Sequence, residues 1–351
     1  MSEYESAVKA LEKAYPKAFT LRTVGGFSTG CIAVDRLTGV GGFPEGSLTE
    51  VCGWEASGKT TLCLGAFAAA QRRGLMPVYL DTELGVDLTY AEAIGCDFSD
   101  RSKGIYAVPE SFEDALKFVD TLLGKVPIIF VDSVAGLVTK QALEGDLGTT
   151  EAIGMRARMF SNILPPLIKR CAASKTSVVL VNQLRENIVT DTYAARTAPK
   201  NKSQGGRAIP YFAWMRINTV QIKKGDSSTK RISELTGKEE AVPVASEHAA
   251  QVLKSKVGVA NQSAPWYVRF DPELGIYGVD NVQTILDMAV ANGTIQKRGS
   301  YYTLKLDDAG EAGAFSAHGE EPMYRHLASD SALIERVAAA VGVDWSLYAQ
   351  R

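Results

Sequence analysis

The chain has 351 residues, of which 46% are apolar and 22% are charged, and its formal net charge is −2 at pH 7. This composition is typical of a globular protein with one large core and smaller appendages, and it excludes a basic field over the whole surface, so any nucleic-acid contact must come from a local patch. No apolar stretch approaches the roughly 20 residues of a membrane helix, and the charged start MSEYESAVKALEK lacks the apolar segment of a signal peptide.

The five cysteines are scattered and show no C-x-x-C spacing, which predicts reduced thiols and a cytoplasmic location; they are Cys31, Cys52, Cys63, Cys96 and Cys171. Only three histidines occur, and their spacing does not suit a pair of metal ligands, so the pattern predicts no structural zinc site.

The first predicted element is an amphipathic helix over residues 2–16, which ends at Pro16. Phe19 and Leu21 then alternate with polar residues, as in a short strand. A unit this small cannot bury its own apolar face. It therefore packs either on the core of the same chain or on another subunit.

Residues Gly53 to Thr60 read GWEASGKT and fit the phosphate-binding pattern G-x-x-x-x-G-K-[ST]. An apolar strand-like run, residues 48–52, precedes them and an apolar helical pattern follows, which is the context that this motif requires. A glycine-rich turn points backbone N–H groups at phosphate oxygens, and the helix N-terminus adds a favourable potential. We expect Lys59 to neutralise the β and γ phosphates and the Thr60 hydroxyl to bind Mg²⁺.

Three continuous apolar runs follow: residues 77–81 (PVYLD), 128–132 (IIFVD) and 177–182 (SVVLVN). Such runs suit strands that are covered on both faces, as in parallel sheets. Between the first two, residues 111–123 predict a helix that Ser111 caps. The fold class is therefore α/β, with helices on both faces of a mostly parallel sheet and ligands at the carboxyl ends of the strands.

Polar residues at these strand ends are candidates for chemistry. Asp132 ends IIFVD, as an aspartate that holds Mg²⁺ through a water does. Glu83 follows PVYLD, where a carboxylate is placed to deprotonate a water that attacks the γ-phosphate. Gln183 follows SVVLVN and is placed to contact the γ-phosphate. From spacing alone, Glu83 is equally well read as a solvated strand-end acid and Gln183 as a turn residue.

Residues 185–224 contain eight basic and two acidic residues, and residues 187–206 show neither helical nor strand periodicity. A long basic loop that follows a strand end placed at phosphate is suited to bind the phosphodiester backbone of a nucleic acid. The alternative is a solvated flexible loop without such a role. A second candidate loop, residues 144–153 (EGDLGTTEAI), is acidic, and a following helix would supply positive charge. The residues expected to bind DNA are Arg158, Arg185, Arg196, Lys200, Lys202, Gly205, Gly206 and Arg207.

Further along the chain, residues 225–250 predict a surface hairpin or a connection. Lys254 and Lys256 alternate on one face of a predicted strand, which usually indicates an exposed edge; if that edge met a neighbouring subunit, both lysines would reach its nucleotide. After Asp271 a smaller unit begins, with a helix that ends at Asn292-Gly293 and a hairpin over residues 293–306 (GTIQKRGSYYTLKL).

Together these segments resemble the RecA family of homologous-recombination ATPases over nearly the whole chain. The resemblance is carried, in order, by STGCIAVDRLTGVGGFPEGSLTEVCGWEASGKTTL, VYLDTELGVDLTYAEAIG, IIFVDSVAGL, EGDLG, VLVNQLR and LKSK. It implies a RecA-like P-loop ATPase core over residues 36–270. It also implies an N-terminal helix–strand arm over residues 1–35 that mediates polymerisation, and a small α+β C-terminal lobe over residues 271–351 that binds duplex DNA.

The resemblance also implies roles at the nucleotide. Glu83 would be the catalytic carboxylate, and Gln183 would couple the γ-phosphate to the basic loop. Asp87 and Tyr90 would bind adenine, and Thr60 with Asp132 would hold Mg²⁺ through water. The residues expected to contact ATP are Gly53, Trp54, Glu55, Ala56, Ser57, Gly58, Lys59, Thr60, Thr61, Asp87 and Tyr90.

Between subunits and DNA, the resemblance assigns residues 144–153 and 187–206 as the first and second DNA-binding loops. Lys254 and Lys256 would reach the neighbouring γ-phosphate and complete an ATP site between subunits. Phe19 and Leu21 fall in the segment that docks on an adjacent protomer.

The chain departs from the family pattern at several positions. Trp54 stands where a small residue or proline is usual, and Pro165 and Pro166 are expected to interrupt the helix after the first loop. Arg207 and Pro210 stand where an amide and a lysine are more frequent. These departures concern the subunit contacts and the allosteric relay, whereas the ATPase motifs are intact.

The sequence therefore predicts a DNA-dependent ATPase that uses ATP and Mg²⁺. It would form filaments on single-stranded DNA, pair it with double-stranded DNA and act in recombination, repair and the SOS response. The alternatives are a hexameric helicase on the same core and a DNA-binding scaffold that uses ATP only as a switch.

Overall fold

The computed structural model describes residues 3–15, 23–144, 151–186, 201–224, 228–232, 239–306 and 315–349. The helices are α1 Glu3–Ala14, α2 Ile32–Thr38, α3 Lys59–Arg72, α4 Leu88–Ile94, α5 Phe112–Leu122, α6 Lys140–Glu144, α7 Glu151–Ser174, α8 Ala208–Phe212, α9 Asn281–Asn292, α10 Glu320–Ser329 and α11 Ser331–Ala340, followed by a 3₁₀ turn at Trp345–Leu347.

The strands are β1 Gly26–Phe27, β2 Phe43–Pro44, β3 Leu48–Gly53, β4 Val78–Asp81, β5 Ile105–Ala107, β6 Ile128–Asp132, β7 Ser177–Glu186, β8 Asn201–Ser203, β9 Met215–Lys224, β10 Ser228–Ile232, β11 Glu239–Pro243, β12 Ala245–Ser255, β13 Ser263–Asp271, β14 Ile276–Val279, β15 Ile295–Arg298, β16 Tyr301–Leu304 and β17 Ser316–His318.

One large sheet organises the molecule, with the strand order β14-β13-β12-β9-β3-β7-β6-β4-β5. The strands from β9 to β5 pair in parallel, whereas β12, β13 and β14 pair antiparallel at the other side. The three apolar runs found in the sequence are β4, β6 and the first part of β7, and all of their residues up to Asn182 are buried. The prediction of a mostly parallel α/β sheet is confirmed.

Two apolar cores cover the two faces of this sheet. On one face, α3 and α4 pack around Leu62, Phe67 and Tyr79, while on the other α5, α7 and α8 pack around Phe112 and Phe160. Strand residues alternate between these faces, so burial on both faces explains why the strands read as continuous apolar runs. The predicted helix cap at Ser111 is present, since its Oγ accepts a hydrogen bond from the Asp114 N–H.

A third core lies toward the C-terminus, where α9, α10 and α11 pack against the small sheet of β15, β16 and β17. Asp280 caps the start of α9, and Gly293, with a φ of 86°, follows its end. The hairpin β15–β16 forms where the sequence predicts one, as does the hairpin β10–β11 within residues 225–250. The domain limits at residues 35 and 270 stay a prediction.

One expectation drawn from the sequence is wrong. Pro165 and Pro166 do not interrupt α7, which continues through both to Ser174. Each proline removes one backbone donor, but buried Phe160 and Leu164 anchor the helix on the core. The prediction for Lys254 is not contradicted: the pairing of β12 with β13 covers residues 245–251, and at Lys254 the strand pairs with β9 on one side only among the described residues.

Some predicted positions lie outside the described residues. These are Phe19 and Leu21, most of the first loop (145–150) and most of the second loop (187–200), including Arg196 and Lys200. The backbone of Lys202 is described, as part of β8. No helix in the described ranges is both long enough and apolar enough to cross a bilayer.

Candidate nucleotide-binding site

The G-x-x-x-x-G-K-T segment forms a tight loop between the end of β3 at Gly53 and the start of α3 at Lys59. Gly58 has a φ of 86°, a left-handed conformation that glycine adopts without a steric penalty. A Cβ at Gly53 would lie 2.4 Å from both the Ser57 Oγ and the Thr219 carbonyl oxygen, so a side chain does not fit there either. Trp54, Glu55 and Ala56, at the tip of the loop, are exposed.

Lys59 is the first residue of α3 and is only 9% exposed. Its ammonium donates a 2.7 Å hydrogen bond to the Trp54 carbonyl oxygen, which folds the side chain back over the loop. Burial lowers the pKa of Lys59, while the carboxylates of Asp132 and Glu83 act in the opposite direction. A buried ammonium beside a concave loop of N–H groups suits a polyphosphate, whose charge would compensate its desolvation.

Thr60 and Asp132 meet across the end of the sheet. The Thr60 hydroxyl donates a 2.7 Å hydrogen bond to Asp132 Oδ2, and the Tyr79 hydroxyl donates a 2.6 Å bond to the same oxygen. Burial raises the pKa of the Asp132 carboxyl, and these two hydrogen bonds oppose that rise. Sequence reasoning did not find Tyr79; the signal available was a hydroxyl in the middle of a buried apolar strand.

Glu83 and Gln183 are brought together from β4 and β7, which β6 separates in the sheet. The Gln183 amide nitrogen lies 3.3 Å and 3.4 Å from the two Glu83 carboxylate oxygens. The Ser133 hydroxyl donates a hydrogen bond to Glu83 Oε1. The proposed base and the proposed phosphate sensor are therefore in direct contact, and Ser133 is a partner that the sequence did not identify.

The loop that carries Glu83 is shaped by the buried carboxylate of Asp81. Asp81 accepts hydrogen bonds from the backbone N–H groups of Glu83, Gly85 and Val86 at 3.1, 3.3 and 3.0 Å. The Tyr106 hydroxyl donates a 2.8 Å bond to it as well. A carboxylate that satisfies three turn donors fixes the turn, so Asp81 orients Glu83 through the backbone.

The residues predicted to hold adenine lie at the start of α4. Asp87 caps this helix by accepting hydrogen bonds from the N–H groups of Thr89 and Tyr90. The Tyr90 hydroxyl lies 2.9 Å from Thr61 Oγ1, which joins α4 to the helix of the phosphate loop. The Tyr90 ring stacks on Phe270 with 5.3 Å between centroids, so Phe270 extends an aromatic surface that the sequence did not predict.

A cavity of about 300 Å³ opens beside the phosphate loop. One wall is formed by residues 56–61 and the other by β9, β12 and β13, including Gln221, Ser246, His248 and Phe270. None of these four was predicted from the sequence, because they lie more than 150 positions from the motif and only the strand order places them here.

The described basic residues expected to bind DNA lie on β7, β8 and α7 and at the start of α8. Arg185 is exposed near the end of β7 and pairs in register with Lys202 of β8, across the two ends of the second loop. Gly205 and Gly206, with φ of 80° and 78°, form the turn that leads to exposed Arg207. Arg158 is exposed on α7.

Arg216 belongs to the basic stretch in the sequence, but it is not a free surface charge. Its Nε donates to the Glu50 carboxylate at 2.5 Å, and its Nη2 donates to the Ser203 hydroxyl at 3.1 Å. The Asn182 amide donates to the other Glu50 oxygen at 2.8 Å and to the Gln204 carbonyl oxygen at 2.9 Å. This polar cluster fastens the second loop's C-terminal end to the central strands.

Lys254 and Lys256 lie at the end of β12, away from the phosphate loop of their own chain. The Lys254 ammonium donates to the carbonyl oxygens of Pro210 and Tyr211 at 3.0 and 2.6 Å, and burial is the main cause that lowers its pKa. Lys256 is exposed and lies 5.8 Å from the centre of the Trp214 ring. That they reach a neighbouring nucleotide stays a prediction.

Comparison with known proteins gives a consistent result. Residues 3–264 match the family model described as the RecA N-terminal domain. The chain is 33% identical over 315 residues to Protein RecA of Mesoplasma florum, covering 87% of each chain, and 32% identical over 349 residues to Protein RecA of Thermus thermophilus, covering 96% of this chain and 92% of the other.

It is also 34% identical over 316 residues to the DNA repair protein recA homolog 3, mitochondrial, of Arabidopsis thaliana, covering 89% of this chain and 66% of that one. Among solved structures, the crystal structure of the RadB recombinase aligns with a TM-score of 0.48 and 21% identity, covering 72% of this chain and 98% of that one.

Proposed function

The chain belongs to the RecA family, and from this premise we propose that it is a DNA-dependent ATPase that forms filaments on single-stranded DNA and catalyses homologous pairing and strand exchange in recombination and repair. The observation that carries this proposal is that Asp132, Glu83 and Gln183, toward the carboxyl ends of neighbouring strands, converge beside the phosphate loop and its Lys59. The cytoplasm is the expected compartment.

ATP and Mg²⁺ fit the residues present. The loop cradle has no room for side chains at Gly53 and Gly58, and the neighbouring ammonium of Lys59 has no carboxylate within hydrogen-bonding distance among the contacts described. Thr60 and Asp132 offer a hydroxyl and a carboxylate oxygen, the hard donors that Mg²⁺ prefers, with Asp132 acting through water. Bound there, Mg²⁺ would neutralise charge on the β and γ phosphates.

In the proposed hydrolysis, Glu83 accepts a proton from the attacking water. The water oxygen bonds to the γ-phosphorus as the bond from that phosphorus to the bridging oxygen breaks, which releases ADP and phosphate. Ser133 and Gln183 hold the carboxylate in place before the substrate arrives. Gln183 is then available to donate its amide hydrogens to the γ-phosphate, and this exchange of partners is how the nucleotide would be sensed.

Gln183 is also where the nucleotide would be coupled to DNA. The three residues that follow it on β7 pair with β8, so both ends of the second loop are attached beside it. The Gln204 N–H lies 3.4 Å from the Gln183 carbonyl oxygen. A shift of Gln183 toward phosphate would thus move both ends of the loop, including Arg185 and Arg207, and bias it toward a DNA-binding state.

Filament formation has a candidate acceptor surface on this chain. A groove of about 680 Å³ runs beside β5, and exposed Val108 and Phe118 lie along it. Because β5 is the last strand of the described sheet on that side, its outer edge is available for pairing with an added strand. We propose that the segment of an adjacent protomer that contains Phe19 and Leu21 docks here and that Lys254 and Lys256 complete the neighbour's ATP site. The hairpin with Lys297 and Arg298 would contact duplex DNA.

The deciding experiment measures ATP hydrolysis with and without single-stranded DNA and images the same mixtures by electron microscopy. We expect DNA to stimulate turnover and helical filaments to form on it. Closed rings with strand unwinding would indicate a helicase, and negligible turnover at saturating DNA would indicate an ATP-switched scaffold. A monomer indifferent to DNA would overturn the proposal.

A further inference from the structure

His248 is a buried histidine that the proposed reaction does not yet use. It lies on β12 and is 2% exposed, with Gln221 of β9 opposite it on one side and Trp266 of β13 on the other. Its imidazole lines the same cavity as the phosphate loop. A histidine so deeply buried needs partners for both ring nitrogens, and the partners identify its tautomer.

The hydrogen bonds place a proton on one particular ring nitrogen of His248. Nδ1 lies 3.1 Å from the Ser57 carbonyl oxygen, which only accepts, so Nδ1 carries the proton and donates. Nε2 lies 2.8 Å from the Ser246 hydroxyl, which then donates to its free lone pair. Burial lowers the pKa of His248, which keeps the ring neutral near pH 7.

The imidazole is also held by packing. Its ring lies 4.9 Å from the fully buried Trp266 ring, centroid to centroid. The same indole packs closely against the phosphate loop at Gly58, where an added Cβ would lie 2.7 Å from Trp266 Cη2. The Ser57 hydroxyl, in turn, lies 3.0 Å from Thr219 Oγ1. Residues Ser57 and Gly58 are therefore contacted by β9 at the Ser57 hydroxyl, by β12 at the Ser57 carbonyl oxygen and by β13 at Gly58.

We propose that His248 is a positioning residue of the phosphate loop, which holds the Ser57 carbonyl toward β12 and so turns the Gly58 N–H toward the phosphate chain. The reason is peptide geometry: in a planar trans peptide the C=O and N–H point in opposite directions, so fixing one fixes the other. The inference rests on the proposed function, because it assigns His248 to the same nucleotide site.

A purely structural role of His248 and the proposed positioning role require different properties of the side chain. A core histidine needs only to fill its space, whereas the positioning role needs a donor at the place of Nδ1. Asparagine offers an amide nitrogen at that place, glutamine offers one nearer to Nε2, and leucine offers similar bulk with no donor. These three substitutions separate the two roles within one site.

The experiment measures the affinity of wild type, His248→Asn, His248→Gln and His248→Leu for a fluorescent ADP analogue without DNA, with inorganic tripolyphosphate as competitor. We expect His248→Leu and His248→Gln to weaken both ligands about tenfold and His248→Asn to stay within about twofold of wild type. Tripolyphosphate has no base, so an equal loss for both ligands locates the effect at the phosphates. Thermal unfolding midpoints without ligand report the stability of each variant.

Equal affinities of the Asn and Leu variants, or of the Asn and Gln variants, would overturn the inference, whether those affinities are normal or reduced. The comparison of Asn with Gln remains decisive if the leucine variant does not fold. Failure of the wild type itself to bind ADP would instead count against the proposed function, so the two failures are distinguishable.

Discussion

At the scale of single residues, the candidate site depends on charged groups that the fold has partly removed from water. Lys59 and Asp132 are both buried and their pKa values shift in opposite directions, each toward the neutral form. Such groups are costly to bury unless a ligand or partner compensates them. A polyphosphate with Mg²⁺ would supply both missing charges, which is why removal of either group is expected to affect binding strongly.

Lys59→Ala is expected to abolish nucleotide binding. The substitution removes the ammonium group that lies over the phosphate loop. We therefore expect the affinity for ADP or ATP to fall by about 100-fold or more. Titration with a fluorescent nucleotide measures this loss, and Lys125→Ala, which changes an exposed lysine elsewhere, is the control. Binding by Lys59→Ala at wild-type affinity would contradict the assignment.

Glu83→Gln is expected to separate binding from turnover. The amide keeps the shape of the side chain but cannot accept a proton, so ATP and DNA binding should persist while kcat falls by about 10²- to 10⁴-fold. Steady-state ATPase assays with saturating single-stranded DNA test this, with Glu92→Gln as an exposed control on the adjacent helix. Normal hydrolysis by Glu83→Gln would show that another group is the base.

At the scale of elements, the central strands carry buried polar contacts that tie the second loop to the sheet. Glu50 on β3 is fully buried and receives hydrogen bonds from Arg216 on β9 and Asn182 on β7. Arg216 and Asn182 extend this cluster to Ser203 and Gln204. The ion pair thus joins β3 to β9, and the Asn182 hydrogen bond attaches β7, the strand that carries the proposed sensor, to the same carboxylate.

Arg216→Met should destabilise the protein because it leaves the Glu50 carboxylate buried without its cation. We expect a loss of about 3–5 kcal/mol in the free energy of unfolding, measured by urea denaturation. Adding Glu50→Gln to this variant removes the unpaired charge and should recover part of the loss. If the single variant is as stable as wild type, the Glu50–Arg216 ion pair does not contribute to the free energy of unfolding as proposed.

Asp35, in the first turn of α2, is another buried carboxylate, and it makes the stability of the fold depend on pH. Asp35 accepts hydrogen bonds from Ser28, Thr29 and Tyr348, yet burial raises its pKa from 3.8 to about 6. The folded state therefore holds this proton more tightly than the unfolded state does. Below the pKa that Asp35 has in the unfolded chain, the protonated side chain makes its full contribution to the stability of the fold. That contribution is lost as the pH rises through about 6.

We expect this group to lower the free energy of unfolding by about 2 kcal/mol between pH 4 and pH 6. Asp35→Asn cannot ionise, so its urea denaturation at several pH values should lack this component. The difference between wild type and variant isolates Asp35 from other buried carboxylates. Parallel pH curves for the two proteins would refute the effect.

At the scale of the whole molecule, the sheet presents one edge that the described chain does not cover. β14, at the far edge, is contacted by α3 and α4, whereas β5 borders the groove lined by Val108 and Phe118. A groove with exposed apolar side chains beside an unpaired strand is a surface on which another chain can add a strand. The proposed filament uses this edge, so assembly should be separable from folding of the protomer.

Phe118→Asp is expected to prevent self-assembly while the protomer stays folded, because a carboxylate would be desolvated in the groove. Phe118 is 38% exposed on α5, so the substitution leaves the apolar cores intact. Sedimentation and electron microscopy with ATP and single-stranded DNA measure assembly. Tyr301→Asp, at an exposed aromatic residue of the C-terminal hairpin, is the control. Filaments of normal length from Phe118→Asp would exclude this groove as the acceptor.

Much of the fold was predictable because its signals are local. Continuous apolar runs indicated β4, β6 and β7, and glycine and lysine spacing indicated the phosphate loop between a strand and a helix. The interruption of α7 at Pro165 was predicted wrongly, because packing on the core outweighed the lost hydrogen bonds. Only the pairing register shows that Lys254 has β9 on one side and no pairing with β13, because pairing partners are not visible in the residues of a single strand.

The sequence by itself determined the phosphate loop, the strand-end acids and the parallel character of the sheet, since each depends on neighbours along the chain. Only the tertiary structure decided that His248, Trp266 and Phe270 surround that loop. It also decided that Tyr79 contacts Asp132 and that Arg216 forms an ion pair with Glu50. The physical reason is that strand order is set by the packing of the complete sheet, and residues far apart in the chain become neighbours only once that order is established.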